Sequence, residues 1–303
     1  MDIFITQLQD HELTHLPEIP DYYSQLRFEN CICIAAFDGP DRKTLMGLFV
    51  IRRSDLYPAD TDTRYIWIRP VQVAKKVFTE MIRYTIGLYK NSQIKSTLFR
   101  TTTTGEEYIG FFTDALTDGL GLMPVKESCI FGGWYVQDIF DTEFIGKKMP
   151  ALAADPSLVR MAGMQTKKAE RLIEGMMNAS LKPMGIPETE SPFSYFYIRN
   201  DKPVAAMTAE LVYENTVLLT GFYSRDNIWE DEVFSSLTAA VLDAALEGLG
   251  LDAQVIFRLT EPAVKDRLEA LLGTAEVSAE QRLYRFYAKS TTDDNAAWAN
   301  SVK

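Results

Sequence analysis

The residue types that could do chemistry fall in four places along the chain. His11-Glu12-Leu13-Thr14-His15 has the H-E-x-x-H spacing. On a helix that spacing sets two imidazoles on one face, with a glutamate poised to activate a zinc-bound water. Pro17 and Pro20 would end such a helix within a turn, and the possible third ligands Glu18, Asp21 and Glu29 sit on no clear second helix, so a solvated polar face is the expectation and a zinc hydrolase only a distant third reading. The second and third places are two strand-to-helix junctions, Ile68-Arg69-Pro70-Val71-Gln72-Val73-Ala74-Lys75-Lys76 and Tyr223-Ser224-Arg225-Asp226-Asn227-Ile228-Trp229-Glu230-Asp231-Glu232. Backbone N–H groups and the positive dipole end of a helix favour an anion at such a junction. The first offers Arg69, Lys75 and Lys76 as charge, whereas the second places three successive carboxylates in the opening turn. The fourth is the strand 204–214 carrying Glu210 and Glu214, either of which could take a proton from an amine.

Cys31, Cys33 and Cys129 suggest no nucleophile: three cysteines leave one unpaired, and Cys31 and Cys33 share a face of one strand, a poor geometry for a bridge. A reduced, cytoplasmic setting is expected. Thr101 to Thr104 and Gly105 lack Walker spacing, and Met161, Met164, Met176, Met177 and Met184 suit core filling or an adaptable pocket.

The elements that must position these groups come in a repeated order. In the first half a strand at 2–8 and a proline-interrupted helical stretch at 11–28 precede strands 31–37, 44–53 and 64–69. A helix over 71–90 follows, with Val73, Ala74, Val77, Phe78, Met81, Ile82 and Ile86 at three- and four-residue spacing. Then come a strand 97–101, a helix 106–118 and a last pair of strands within 123–140. In the second half Asp155-Pro156 predicts a helix N-terminus running to Met177. Strands 193–199, 204–214 and 216–223, a helix 229–247, a strand 253–259, a helix 262–272 and a strand 281–288 follow. Leu98-Phe99-Arg100 matches Ile256-Phe257-Arg258 at an offset of 158, and the two long helices align near the same offset. The predicted fold class is α/β: two mixed, mostly antiparallel sheets flanked by helices, arranged as a tandem repeat. The expected division is an N-terminal domain at 1–148, a linking helix and loop at 149–192, a C-terminal domain at 193–289 and a polar tail at 290–303.

Composition sets the outer limits. The 303 residues are 47% hydrophobic with a net charge of −11. The 16 basic and 20 acidic residues before position 150, and 15 and 22 after it, leave neither half basic. That field repels a phosphate backbone or an anionic membrane, so neither nucleic acid nor membrane is an expected partner. The longest apolar run, about Leu45 to Ile51, is far short of the ~20 residues a bilayer span requires.

Three strands, a long helix, a strand, a helix and final strands resemble the GCN5-related N-acetyltransferase (GNAT) fold, and the chain resembles a tandem pair of such domains over most of residues 1–289. The resemblance implies acetyl transfer from acetyl-CoA to a small-molecule amine, with acetyl-CoA or CoA bound as substrate and no metal. It places acyl-CoA at Ile68, Arg69, Gln72, Lys75 and Lys76, and at Tyr223, Ser224 and Arg225. The family's loop pattern is Gln/Arg-x-x-Gly-x-Gly/Ala. Gln72 stands at its first position, but Lys75 and Val77 occupy the glycine sites, and the second junction has no glycine. The family's thiolate-protonating tyrosine corresponds to Thr117 and Glu269, so Tyr108 is the substitute from a different turn. These departures make a catalytically degenerate binding or interaction protein the alternative expectation.

Overall fold

The computed structural model describes residues 2–9, 12, 31–69, 73–100, 106–176, 186–225 and 230–288, with backbone alone at 99–100, 106–109, 126–128, 278–285 and 287–288. The chain forms two compact units, residues 1–128 with 281–303, and residues 129–280.

The first unit is a sheet in the order β1 (Ile3–Leu8), β2 (Cys31–Asp38), β3 (Leu45–Arg53), β4 (Asp60–Ile68), β5 (Ser96–Arg100), followed by its parts of β12 (Glu276–Ala288) and β6 (Leu122–Tyr135). β1 to β4 form an antiparallel meander, β4 and β5 run parallel, and β5 pairs antiparallel with β12 from Leu283↔Arg100 to Tyr287↔Ser96. The strand expected to close the second half therefore lies beside β5 in the first unit.

Helices α1 (Ala74–Asn91) and α2 (Glu106–Leu120) pack together in this unit. The periodicity of α1 is met: Val77, Phe78, Met81, Ile82, Thr85 and Tyr89 are its buried stripe, and Phe78 meets Phe49 of β3 edge to face at 5.5 Å. Ile86, on the same side, lies so close to α2 that a Cβ on Gly119 would stand 3.2 Å from it. The Tyr89 hydroxyl is wholly buried and bonds Thr61 Oγ1 at 3.2 Å and Thr97 Oγ1 at 3.3 Å, two residues that face each other across the β4–β5 pairing. Burial raises the Tyr89 pKa, against the two threonine hydrogen bonds.

The second unit repeats this plan. Its sheet runs β6, β11 (Gln254–Arg258), β10 (Thr216–Ser224), β9 (Lys202–Tyr213), β8 (Tyr195–Arg199), β7 (Leu158–Arg160). β8, β9 and β10 form the meander, β10 and β11 are parallel, and β6 is antiparallel to β11. Arg199 pairs with Lys202 around a two-residue turn in which Asn200 and Asp201 both take positive φ, as the right-handed twist of a tight hairpin requires. Helix α3 (Thr166–Glu174) covers one face, where Met161, Ala169, Ile173, Met176, Phe196, Ala206 and Tyr223 form a core. Met161 and Met176 are thus core filling; Met177 and Met184 lie outside the described residues. Helices α4 (Asp231–Leu249) and α5 (Pro262–Leu272) complete the unit. α4 is buried around most of its circumference because it packs on β8 and β9 and also on the helical turn Met149–Ala153.

Two expectations are corrected. The pair of strands expected within 123–140 is one strand, β6, followed by a helical turn at Val136–Ile139. Gly132 and Gly133 sit inside β6 because the neighbouring chain approaches closely: a Cβ on Gly133 would stand 1.9 Å from the Val255 carbonyl oxygen. The helix expected to open at Asp155-Pro156 is instead a turn into β7, and helix begins only at Thr166. The Asp155 carboxylate accepts the Ser157 N–H at 2.8 Å and the Tyr197 hydroxyl at 2.9 Å, closing a local turn that competes with a helix cap.

Burial would raise the Asp155 pKa, but the hydrogen bonds from the Ser157 backbone N–H and the Tyr197 hydroxyl hold it below its ordinary 3.8. A depressed carboxylate adds stability that is complete above 3.8 and lost as pH falls through the lower native value. Asp155→Asn is therefore expected to flatten the acid limb of stability below that point, measured by urea denaturation at stepped pH. An unchanged limb would remove Asp155 from that role.

Among the described residues, all three cysteines are free thiols, and no helix is long and apolar enough to cross a membrane.

Candidate functional site

Each unit opens a cleft in its own sheet at the same place. β4 and β5 are joined for only three parallel rungs, Asp60↔Ser96 to Asp62↔Leu98; beyond them β4 runs on to Ile68 paired with β3 alone. β10 and β11 are likewise joined from Thr216↔Gln254 to Leu218↔Ile256, after which β10 continues to Ser224 beside β9. Past the last rung, one edge of β4 and one edge of β10 have no partner strand among the described residues.

Both strands are bulged just past that point. Val50 faces Tyr65 while Ile51 faces Thr63, so Arg64 is the extra residue in β4. Leu219 faces Ala209 while Gly221 faces Thr208, so Thr220 is the extra residue in β10. A bulge breaks the alternation and re-aims one amide and one side chain, a feature common beside active sites. No periodicity in the sequence marks either bulge; the match appears only when the two ladders are compared.

The expected acyl-CoA residues of the first unit gather where β4 passes into α1. Ile68, half-buried, ends β4 and packs on the core; a Cβ on Gly47 would lie 2.9 Å from its Cδ1. Arg69 donates its backbone N–H to Met46 O at 2.9 Å and its Nε to Leu45 O at 3.0 Å, so β3 holds the guanidinium at the end of β4. Lys75 and Lys76 are exposed in the first turn of α1, which has no acidic residue and no side-chain cap. The Lys75 ammonium lies 4.5 Å from the centroid of the Phe111 ring on α2. Gln72 is outside the described residues. Tyr108 lies in the first turn of α2, where only backbone is described.

The second junction carries the opposite charge. Tyr223 is fully buried, its ring laid against Gly221, and so offers the cleft only its backbone. Ser224 is buried and Arg225 exposed just beyond it. The carboxylates that open α4 are held by arginines: Glu230 by Arg199 at 2.6 Å, and Asp231 by Arg267 on α5. The Arg199 hydrogen bond and charge hold the Glu230 carboxyl below its usual range, against a smaller effect of burial. Sequence reasoning saw the acids but missed both arginines, which are distant in the chain. A helix start already bearing two ionised carboxylates opposes a phosphate.

Glu210 is 5% exposed on β9 opposite Leu218, the last rung of the parallel pairing, whereas Glu214 is exposed. Of the H-E-x-x-H string only Glu12 is described; His11 and His15 lie outside the described residues. Both Glu12 oxygens are engaged, one by the Gln9 N–H at 2.8 Å and the other by Arg42 at 3.0 Å. No group of three or more metal-ligating side chains occurs among the described residues.

No protein-family model matches the sequence, and no curated protein matches it. Solved structures do. A GCN5-related N-acetyltransferase from Sphaerobacter thermophilus is similar over 93% of this chain and 95% of its own, at 8% identity and a TM-score of 0.44. A Bacillus subtilis acetyltransferase solved in complex with CoA matches 41% of this chain and 78% of its own, at 14% identity and a TM-score of 0.29. A tandem GNAT protein from the clavulanic acid biosynthesis pathway is similar along 94% of this chain and 98% of its own, at 11% identity and a TM-score of 0.49.

Proposed function

We propose that the chain is an acyl-CoA-dependent N-acyltransferase that moves an acetyl group to a small-molecule amine, and that the first unit holds the acyl-CoA. One observation carries this reading: β4 parts from β5 at a bulge and leads directly into a helix start with Arg69, Lys75 and Lys76 and no acid. Acetyl-CoA is the substrate such a cleft suits. Its pyrophosphate meets the N–H groups and cations at the start of α1, and its thioester arm runs between the parted strands. An amide on the free edge of β4 near Arg64 then faces the thioester carbonyl and takes the charge that develops on its oxygen. The amine nitrogen forms a bond to the carbonyl carbon and gives up one proton to water, the carbon–sulfur bond breaks, and the thiolate leaves. Tyr108 is the proposed proton donor to that thiolate. The second unit, with Glu230 and Asp231 ion-paired across its helix start, is the non-binding half.

Calorimetric titration with acetyl-CoA and CoA tests this. The intact chain is expected to bind, and Lys75→Glu with Lys76→Glu to weaken binding at least about tenfold, because each reversal at a helix terminus is worth on the order of 1 kcal/mol. Arg225→Glu is expected to leave the affinity unchanged. No binding at millimolar ligand, or loss of binding through Arg225→Glu alone, would sink the proposal.

A second reading has one observation in its favour. Neither junction has the loop glycines, and the second is closed by its own ion pairs, as in a scaffold that binds without turning over. Binding of CoA with no release of free thiol across a panel of amines would select it.

A further inference from the structure

The bulge in each parted strand is fastened by side chains, and the register shows where the break falls. Val50 and Arg52 of β3 share a face and pair with Tyr65 and Asp62 of β4, so Tyr65 and Asp62 share that face too. Arg64 reaches the same side: its Nε lies 3.9 Å from Asp62 Oδ2, the carboxylate wholly buried and the Arg64 side chain 10% exposed. Asp62, Arg64 and Tyr65 are therefore on one face, and the alternation breaks between Arg64 and Tyr65. The second unit breaks at the matching place by other means. Glu210 and Thr208 of β9 pair with Leu218 and Gly221 of β10, and Thr220 Oγ1 donates to Thr208 Oγ1 at 2.9 Å. Leu218, Thr220 and Gly221 thus share a face, held by a hydroxyl pair where the first unit has an ion pair. Asp62 and Leu218 are both the last rung of their parallel pairings, but only Asp62 carries a group that reaches past that rung to the bulge.

We infer that Asp62 is a positioning residue: through Arg64 it ties the end of the β4–β5 ladder to the bulge and so sets the direction of the peptide between Arg64 and Tyr65. This rests on the proposed acyl-transfer reading, in which an amide near Arg64 takes the charge on the thioester oxygen, and it names the side chains that hold that amide. A backbone donor serves such a step only if its direction is fixed beforehand. The extra residue of a bulge has no ladder partner to fix it, and a slip by one residue would carry the break to a neighbouring peptide. Arg64 held to the buried carboxylate, with Tyr65 packed in the cluster that contains Val50, leaves one position for the break.

The test uses the full chain and acetyl-CoA isotopically labelled at the thioester carbonyl, read by difference infrared spectroscopy, with calorimetric affinities for acetyl-CoA and CoA. On the unaltered chain the carbonyl band is expected to move to lower wavenumber on binding. Arg64→Met and Asp62→Asn are expected to lose most of that displacement and to cut the preference for acetyl-CoA over CoA about fivefold, the worth of one hydrogen bond, while CoA binds as before. Val50→Thr with Arg64→Thr transplants the second unit's hydroxyl pair and is expected to restore the displacement. Removing one partner of a buried pair destabilises, so melting temperatures accompany each variant, and Arg64→Met, which keeps an apolar stem, decides if Asp62→Asn unfolds. A band displaced as far in Arg64→Met as in the parent, or CoA affinity lost together with the displacement, would overturn the inference while leaving the acyl-CoA reading standing. So would a folded Val50→Thr, Arg64→Thr chain that fails to restore it. Failure of the unaltered chain to bind acetyl-CoA would overturn both.

Discussion

Ending the chain after Glu280 is expected to unfold the first unit while the second keeps its structure. The cut removes none of the residues 129–280 that make up the second unit. It does remove the strand that pairs with β5 on five rungs, Leu283↔Arg100 through Tyr287↔Ser96. It also removes Phe286, which is fully buried in the core around α1 and α2 and meets the Phe112 ring at 6.0 Å. Loss of a buried phenylalanine alone costs about 3–5 kcal/mol. Five ladder positions go with it, against a typical domain stability of about 5–15 kcal/mol. Hydrogen exchange read by mass spectrometry checks this: amides of β5, α1 and α2 are expected to lose protection, and those of β8 to β11 and α4 to retain it. Protection of β5 unchanged in the truncated chain would show that the first unit does not depend on β12. Phe286→Ala in the full chain is the milder version, expected to lower stability by about 3–5 kcal/mol.

Gly133→Ala is the single substitution expected to do most damage. A Cβ there would lie 1.9 Å from the Val255 carbonyl oxygen and 2.8 Å from Ile256 Cα, both backbone atoms that no side-chain rotation can relieve. The strand must shift away from β11, breaking the pairing Gly133↔Ile256 and its neighbours Trp134↔Val255 and Gly132↔Phe257. The ring of Trp134, stacked at 5.5 Å on Phe257, moves with it. A loss above about 4 kcal/mol follows, in the range reserved for severe mechanisms. Gly87→Ala is the control: it lies exposed in α1 with nothing within 4 Å of its Cβ, and is expected to stabilise by roughly 0.5–1 kcal/mol. Denaturant midpoints of the two variants decide the matter; a Gly133→Ala midpoint near that of the parent would refute the clash.

Local periodicity and repetition are the features of this protein that its residue order makes legible. The apolar runs at 31–37 and 44–53 and the helical stripe from Val77 to Ile82 reflect side chains meeting near neighbours on one element, and the Phe-Arg match at offset 158 marks the repeat. The meander, α1 and the repeated order follow from them. The second, acidic junction is legible for the same reason, because Glu230, Asp231 and Glu232 are adjacent in the chain. Arg199 and Arg267, which hold two of those acids, are not, since each pair spans more than thirty residues.

Residue order alone thus establishes two α/β halves of like plan, an acidic chain, and a cationic junction at Arg69, Lys75 and Lys76 opposed to an anionic one. Which strand completes which sheet is settled in three dimensions. β6 and β12 read as ordinary closing strands, yet β6 lies against β11 and β12 against β5. Strand pairing is a choice among partners far apart in the chain, made by which edge accepts the ladder and which core accepts the side chains. Periodicity states that a strand has two faces and is silent about its neighbour. The clefts share that origin: Asp62 and Leu218 mark their mouths because the parallel pairing stops there, and no residue type announces where a ladder ends.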